Sequence, residues 1–236
     1  MKKKYSFDEK KHIHLLDERP LIGVTTVLSV ISKPALIQWA ANEAVDYVIE
    51  QWGSNGLSPS ELFSVLGEAR TAHRKRKEKA GNVGTLAHDW IERFVKSMMD
   101  GGEPIGPSDD ETVKKMCDNF VSWASDNSVR FLESEKHVWS EKLWIGGILD
   151  MVFELEGKKF IGDIKTSSAI YNEHFFQMAA YELCLEEMGE AGIDGYMVIN
   201  LKKDGTMECK LAENREINKR AFQSALELYK IINNLV

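Results

Sequence analysis

Cysteine is scarce in this chain. Cys117, Cys184 and Cys209 are odd in number and widely scattered. That excludes a disulfide framework and a paired metal-ligand spacing, and it leaves too few thiolates for an iron–sulfur cluster. No apolar run is long enough to span a bilayer, and Met1-Lys2-Lys3-Lys4 leads into polar residues instead of the apolar segment of a secretion signal. No Gly-x-x-x-x-Gly-Lys-Ser/Thr phosphate loop occurs, so no helicase motif is present. Internal repeats and low-complexity tracts are also missing.

What remains is ordinary globular material. The 236 residues are 43% hydrophobic and 28% charged, enough to bury the core of one large domain that folds alone. Helices are expected over Thr25–Ile31 and Pro34–Gln51, broken by Gly53-Ser54-Asn55-Gly56. Ser58-Pro59-Ser60-Glu61 reads as a capping box for a helix entering a basic run, and a separate helix is expected after Gly81 to Gly84. Gly101 to Pro107 reads as a loop. Ser108-Asp109-Asp110-Glu111 reads as a second capping box, for a helix to about Asp126. The period then changes from helical to extended. Strands are expected near 129–139, 142–153 and 158–165, a helix near 171–188, strands near 194–201 and 206–211, and a closing helix over 216–233. The organisation is a mainly helical part, 1–127, followed by an α/β core, 128–236.

The most informative stretch runs from Gly146 to Ser167. Two expected strands around a Gly157-Lys158-Lys159 turn would present Asp150, Asp163 and Lys165 to one cleft, because Asp163 and Lys165 lie two apart on an extended strand. Two carboxylates supply the hard oxygen ligands that magnesium or manganese requires. Such an ion polarises a phosphoryl oxygen, and a neighbouring ammonium orients water and offsets developing negative charge. Alone, an Asp-x-Lys triplet is as readily a solvated pair on an edge strand.

Its company changes the weighting. Upstream, Gly84-Thr85-Leu86-Ala87-His88-Asp89-Trp90-Ile91-Glu92 opens a helix, and downstream Gln177-Met178-Ala179-Ala180-Tyr181 sets an amide and a phenol one helical turn apart. With Gly146-Gly147 before Asp150 and Gly162 before Asp163, this order resembles the RecB-like branch of the PD-(D/E)XK nuclease superfamily. It is most similar there to phage and mitochondrial single-domain exonucleases and to nucleases of CRISPR adaptation, from about Val24 to Tyr181.

The resemblance implies an α/β fold with a restriction-endonuclease-like core: a central mixed sheet flanked by helices and preceded by a helical N-terminal half. It also implies one or two Mg2+ or Mn2+ ions held by His88, Asp150, Asp163 and the backbone carbonyl of Ile164. Lys165 would position the attacking water, and Asp150, Asp163 and Lys165 would be the catalytic set. Gln177, Tyr181, Thr166 and Ser167 would contact substrate. The implied activity is hydrolysis of single-stranded DNA or duplex ends, leaving 3′-hydroxyl and 5′-phosphate groups. The implied setting is replication, recombination or repair in the cytoplasm of a bacterium or a phage-infected cell, without membrane association. The alternatives are a non-catalytic nucleic-acid-binding module of the same fold and a structure- or sequence-specific endonuclease.

Net charge is −7, yet Arg70 to Lys79 is strongly basic. Local positive surface governs association with phosphates more than the total does. Arg74, Lys75, Arg76 and Lys77 are therefore candidate DNA contacts, with a solvated helix face as the plain alternative. His88 has its own plain alternative, a core histidine on a helix face that also carries Leu86, Ile91, Phe94 and Val95. Glu135 is a further candidate acidic residue.

Overall fold

The computed structural model describes residues 4–53, 56–101, 105–190 and 192–235. Ser54 and Asn55 of the expected break and residues 102–104 of the expected loop lie outside the described residues, as do Met1 to Lys3. The chain is mixed α/β, with a largely helical N-terminal half and a mixed sheet. It packs as two compact units, one of residues 32–86 and one of residues 1–31 with 87–236.

In chain order the elements are β1 (Tyr5–Asp8), β2 (Ile13–Leu16), β3 (Arg19–Pro20), β4 (Ile22–Gly23) and α1 (Val24–Val27), which a single 3-10 turn prolongs to Val30. Then come α2 (Pro34–Trp52), α3 (Pro59–Met99), α4 (Glu111–Asp126), β5 (Arg130–Ser140), β6 (Ile145–Leu155) and β7 (Lys158–Lys165). The chain closes with α5 (Asn172–Met188), β8 (Gly195–Leu201), β9 (Met207–Leu211) and α6 (Arg215–Ile232).

Four sequence expectations are corrected. Strands β1 to β4 were not anticipated, because runs of two to four residues carry too little alternation to register as a period. The helix of the basic run and the helix of His88 are one continuous helix, since an interior glycine costs a helix only about 1 kcal/mol and does not end it by itself. The cap of α4 is Asp110, whose side chain accepts from the amides of Thr112 and Val113, and Ser108 only accepts from the Asp110 amide. The β6–β7 turn is Glu156-Gly157, both at positive φ (51° and 73°), which matches a hairpin turn whose twist suits the strands. Lys158 and Lys159 already belong to β7. The capping box at Ser58 is present as expected: the Ser58 amide donates to Glu61 Oε2 at 2.8 Å and the Glu61 amide to Ser58 Oγ at 3.4 Å.

In the larger unit a six-stranded sheet has the order β4-β6-β7-β8-β9, with β5 on the other side of β6. β7 and β8 are parallel, and α5 makes the crossover that a parallel pair requires. β8 is buried along its whole length, as a strand covered on both faces must be. One face carries Ile161, Tyr196 and Val198 against Met178, Ala179, Tyr181 and Leu185 of α5 and Phe222 and Leu226 of α6. An aromatic group that joins Phe94, Phe120, Trp123, Phe131, Phe153 and Phe160 by ring contacts of 5.6 to 6.2 Å forms a further part of the core. Each well-oriented aromatic pair adds about 0.5–1.5 kcal/mol to what burial supplies.

Between α5, β8 and α6 lies a buried ionic network. Glu182 receives Arg215 Nη1 at 2.8 Å, Lys219 Nζ at 3.2 Å and the Tyr196 hydroxyl. Among the described residues no helix is long and apolar enough to cross a membrane.

The smaller unit is a helical hairpin of α2 and the first part of α3. Trp39 meets His73 edge-on, with ring centroids 6.5 Å apart, and Tyr47 donates to Glu68 at 2.6 Å.

Candidate active site

The site originates in an interruption of the sheet. β6 pairs with β4 only at Ile145 and Gly146, and with β7 only from Met151 onward. The next pair in the β6–β7 register would be Asp150 opposite Asp163, and there the backbone ladder stops. Asp150 replaces it with its side chain, Oδ2 accepting the Ile164 amide at 2.7 Å. β7 continues along β8, with Asp163 beside Val198 and Lys165 beside Asn200. The divergence of two strands thus brings two carboxylates together where backbone would otherwise meet.

Asp163 is 1% exposed. Lys165 Nζ lies 2.7 Å from Oδ1, to which it donates, and 2.6 Å from Oδ2, which is buried and not in line for a hydrogen bond. Burial pushes both aspartates up from the ordinary carboxylate range, against the pull of Lys165. Burial alone would depress Lys165, but the charges of Asp163 and Asp150 outweigh it and hold the ammonium protonated. From α3, His88 comes within 3.9 Å of Asp150 Oδ2 through Nδ1. Burial, then the Lys165 charge, keeps its pKa below the usual histidine value. The imidazole is therefore neutral at neutral pH, the form in which a ring nitrogen binds a metal.

α5 supplies Gln177 and Tyr181. Gln177 Nε2 donates to the Tyr181 hydroxyl at 2.8 Å, and the Tyr181 ring lies on Gly147, where an added Cβ would fall 2.6 Å from Cε1. The glycine before Asp150 therefore makes room for this ring. Burial raises the Tyr181 pKa well above the usual value, and the nearby charges of Asp163 and Asp150 add to the rise, so the phenol stays protonated over the site. Thr166 and Ser167 follow the strand and are half-buried. The Ser167 hydroxyl donates to the Ala169 carbonyl at 2.6 Å, and its amide donates to Asn200 Oδ1 at 3.1 Å.

Glu135 also belongs here. In the β5–β6 register it falls opposite Asp150, and it carries φ of 47° within a strand. Burial, then Asp150 and Glu92, pushes its carboxyl up to about 7. A carboxyl raised in the folded state stabilises below its ordinary value near 4.5, and that contribution is lost as pH rises through about 7. Glu135→Gln in metal-free buffer is expected to raise thermal stability at pH 8 and leave it unchanged at pH 4.5. The gain should be on the order of 1–2 kcal/mol, allowing for solvent screening of a partly exposed group. Equal effects at both pH values would show that shape, not charge, matters at this position.

The four basic candidates belong to the helical hairpin of the smaller unit, whereas the side chains above belong to the larger unit. Arg76 is committed within that unit, Nη1 lying 2.7 Å from the buried Glu43 and Nη2 3.7 Å from Glu50, while Lys75 lies 3.5 Å from Glu68. Arg74 and Lys77 are exposed.

Asn200 was not singled out in the sequence, since a lone Asn near a strand end carries only a turn signal. A cavity of about 640 Å³ elsewhere in the larger unit is lined by residues such as His12, Arg19, Trp144 and Lys230 and includes none of the site residues.

Among the described residues, no three His, Cys, Asp or Glu side chains are already drawn together at metal-ligand spacing. The donor types nevertheless suit a hard divalent ion: the carboxylates of Asp150 and Asp163 and the neutral imidazole of His88, with the buried Asp163 Oδ2 lacking a hydrogen-bond partner.

No family model and no curated protein matches the sequence. Among solved structures, the chain is similar to one titled "Crystal structure of SSO0001", at 14% identity and a TM-score of 0.29. The alignment covers 48% of this chain and 57% of that one, so the chain spans little more than half the length of that structure.

Proposed function

We propose that this protein is a divalent-metal-dependent deoxyribonuclease built on a restriction-endonuclease-like core, acting as an exonuclease on single-stranded DNA or duplex ends. What carries the reading is the meeting of Asp150, Asp163, Lys165 and His88 at the point where β6 and β7 part. These are the residues that the resemblance to RecB-like nucleases singles out, and they come from three different elements. A pair of aspartates grouped with a protonated lysine and a neutral imidazole suits phosphodiester hydrolysis better than it suits passive binding.

His88, Asp150, Asp163 and the Ile164 carbonyl would hold one or two Mg2+ or Mn2+ ions. When bound, such an ion supplies Lewis acidity and lowers the pKa of water. Lys165, kept protonated by its two aspartates, orients the attacking water and offsets charge gathering on the phosphate. The Tyr181 phenol, held by Gln177, is a neutral donor toward a phosphate oxygen. Thr166 and Ser167 line the exit of the strand. Arg74 and Lys77 are the members of the basic run best disposed to meet the DNA backbone, because Arg76 and Lys75 already have carboxylate partners. The biological setting proposed is DNA replication, recombination or repair in a phage or a bacterium.

Digestion of end-labelled and circular DNA, single- and double-stranded, with Mg2+, with Mn2+ and with a chelator tests the assignment. Mononucleotide or short-oligonucleotide release from ends, abolished by the chelator, is the expected result. Cleavage of circles would redirect it toward an endonuclease, and no hydrolysis in any arm would overturn it.

His88→Ala provides a separate check. It should raise the Mn2+ concentration needed for half-maximal activity by about 10–100-fold, the usual effect of weakening a metal site, and excess Mn2+ should restore much of the rate. Full activity at low metal would identify His88 as a core residue.

A further inference from the structure

Asn200 has no role in the function proposed above, yet it stands at the site. It is fully buried near the end of β8, and the parallel register sets it beside Lys165. Val198 and Tyr196, two and four residues earlier, share its face of the strand and belong to the core under α5. Lateral neighbours in a sheet lie about 4.8 Å apart and project from the same face, so the Asn200 amide and the Lys165 stem are side by side.

The orientation of the amide is fixed by a single bond. The Ser167 amide donates at 3.1 Å, so the atom it meets must be Oδ1, and the other is Nδ2. Nδ2 is buried and has no hydrogen-bond partner. Leaving a buried donor unmatched costs about 1–3 kcal/mol. Its neighbours on the same face, Tyr196 and Val198, show that apolar or aromatic side chains suit this environment. Lys165 cannot satisfy Nδ2, because an ammonium is also only a donor. An oxygen acceptor shared by the two nitrogens can.

We propose that Asn200 is a second nitrogen donor of the site, acting beside Lys165. Its Oδ1 holds the Ser167 amide and with it the turn by which the chain leaves the catalytic strand. Its Nδ2 joins Lys165 Nζ in orienting one oxygen, either of the attacking water or of the substrate phosphate. The proposal rests on the nuclease reading, and two variants separate its parts. Asn200→Asp keeps an acceptor for the Ser167 amide and removes the donor. Asn200→Leu is neutral, fills similar volume and removes both.

The experiment combines steady-state DNA hydrolysis in Mn2+ with hydrogen exchange of the Ser167 amide, in variants whose folding is checked by thermal unfolding. Exchange should be slow in the wild type and in Asn200→Asp, and faster in Asn200→Leu. Hydrolysis should fall about 10–100-fold in both variants, since the missing donor is what they share. A fall confined to kcat assigns the oxygen to water, and a fall accompanied by a raised KM assigns it to the phosphate. Wild-type turnover in Asn200→Asp, or unchanged Ser167 exchange in Asn200→Leu, would overturn the proposal. If the wild type hydrolyses no DNA while the exchange pattern holds, the nuclease reading and the Nδ2 role both fall and only the tether stands.

Discussion

Asp150→Asn should lower metal-dependent DNA hydrolysis by about 1,000-fold while leaving the protein at least as stable as before. The amide oxygen of Asn can still accept the Ile164 amide, so the join between β6 and β7 survives. What disappears is a negative charge in a site where burial already disfavours it, as the raised pKa of Asp150 records. A carboxyl raised in the fold opposes folding once pH exceeds its ordinary value, and a neutral isostere does not. Lys165 keeps Asp163 as its partner. Single-turnover cleavage and thermal unfolding, both on the purified variant, measure the two halves. Cleavage at more than a tenth of the wild-type rate would remove Asp150 from the catalytic set, and a large fall in melting temperature would mark it as structural.

The greatest effect on stability is expected at Glu182, outside the set of candidate site residues. This carboxylate is 5% exposed and is shared by Arg215, Lys219 and the Tyr196 hydroxyl. Removing one member of a buried ionic group strands the others in low dielectric, which typically costs about 3–5 kcal/mol. Glu182→Ala should lose about that much in denaturant unfolding. Lys219 retains Glu186 at 2.7 Å, which limits the damage on its side, and Arg215 retains the Ile193 carbonyl. Glu182→Gln should lose less, because an amide oxygen still accepts from Tyr196. A loss below about 1 kcal/mol for the alanine variant would mean that solvent reaches the network and screens it.

The C-terminal α/β half was the more legible part of the fold. β7 spans the expected 158–165, and α5, β8, β9 and α6 begin within a residue or so of expectation, because each combines a sustained period with a turn or cap at its end. The N-terminal strands were illegible for the opposite reason: β3 and β4 are two residues each, too short for a period, and β4 exists only through Ile145 and Gly146, far along the chain. The continuity of α3 through Gly81 and Gly84 was equally hidden, since a glycine pair looks like a break until the surrounding turns are seen to continue. Of the candidate contacts, Arg76 and Lys75 were those whose environment could not be read. A run of like charges looks free in one dimension, and the acids that claim Arg76 and Lys75 lie 7 to 33 residues away.

The sequence by itself determined the types of chemistry available. Asp150, Asp163 and Lys165 were found from a two-residue spacing and a strand period, and Gln177 with Tyr181 from a helical one, because both periods fix which side chains share a face. Tertiary structure alone decided that the β6–β7 ladder ends one pair before Asp150 and Asp163, which converts two ordinary strand positions into facing buried carboxylates. It also decided that His88, 62 residues upstream, reaches Asp150, and that Glu135 and Asn200 flank the same cluster. Local periodicity orients a side chain relative to its own element. Burial, shifted acidity and the meeting of charges depend on which other elements pack there, and that follows from the closure of the core.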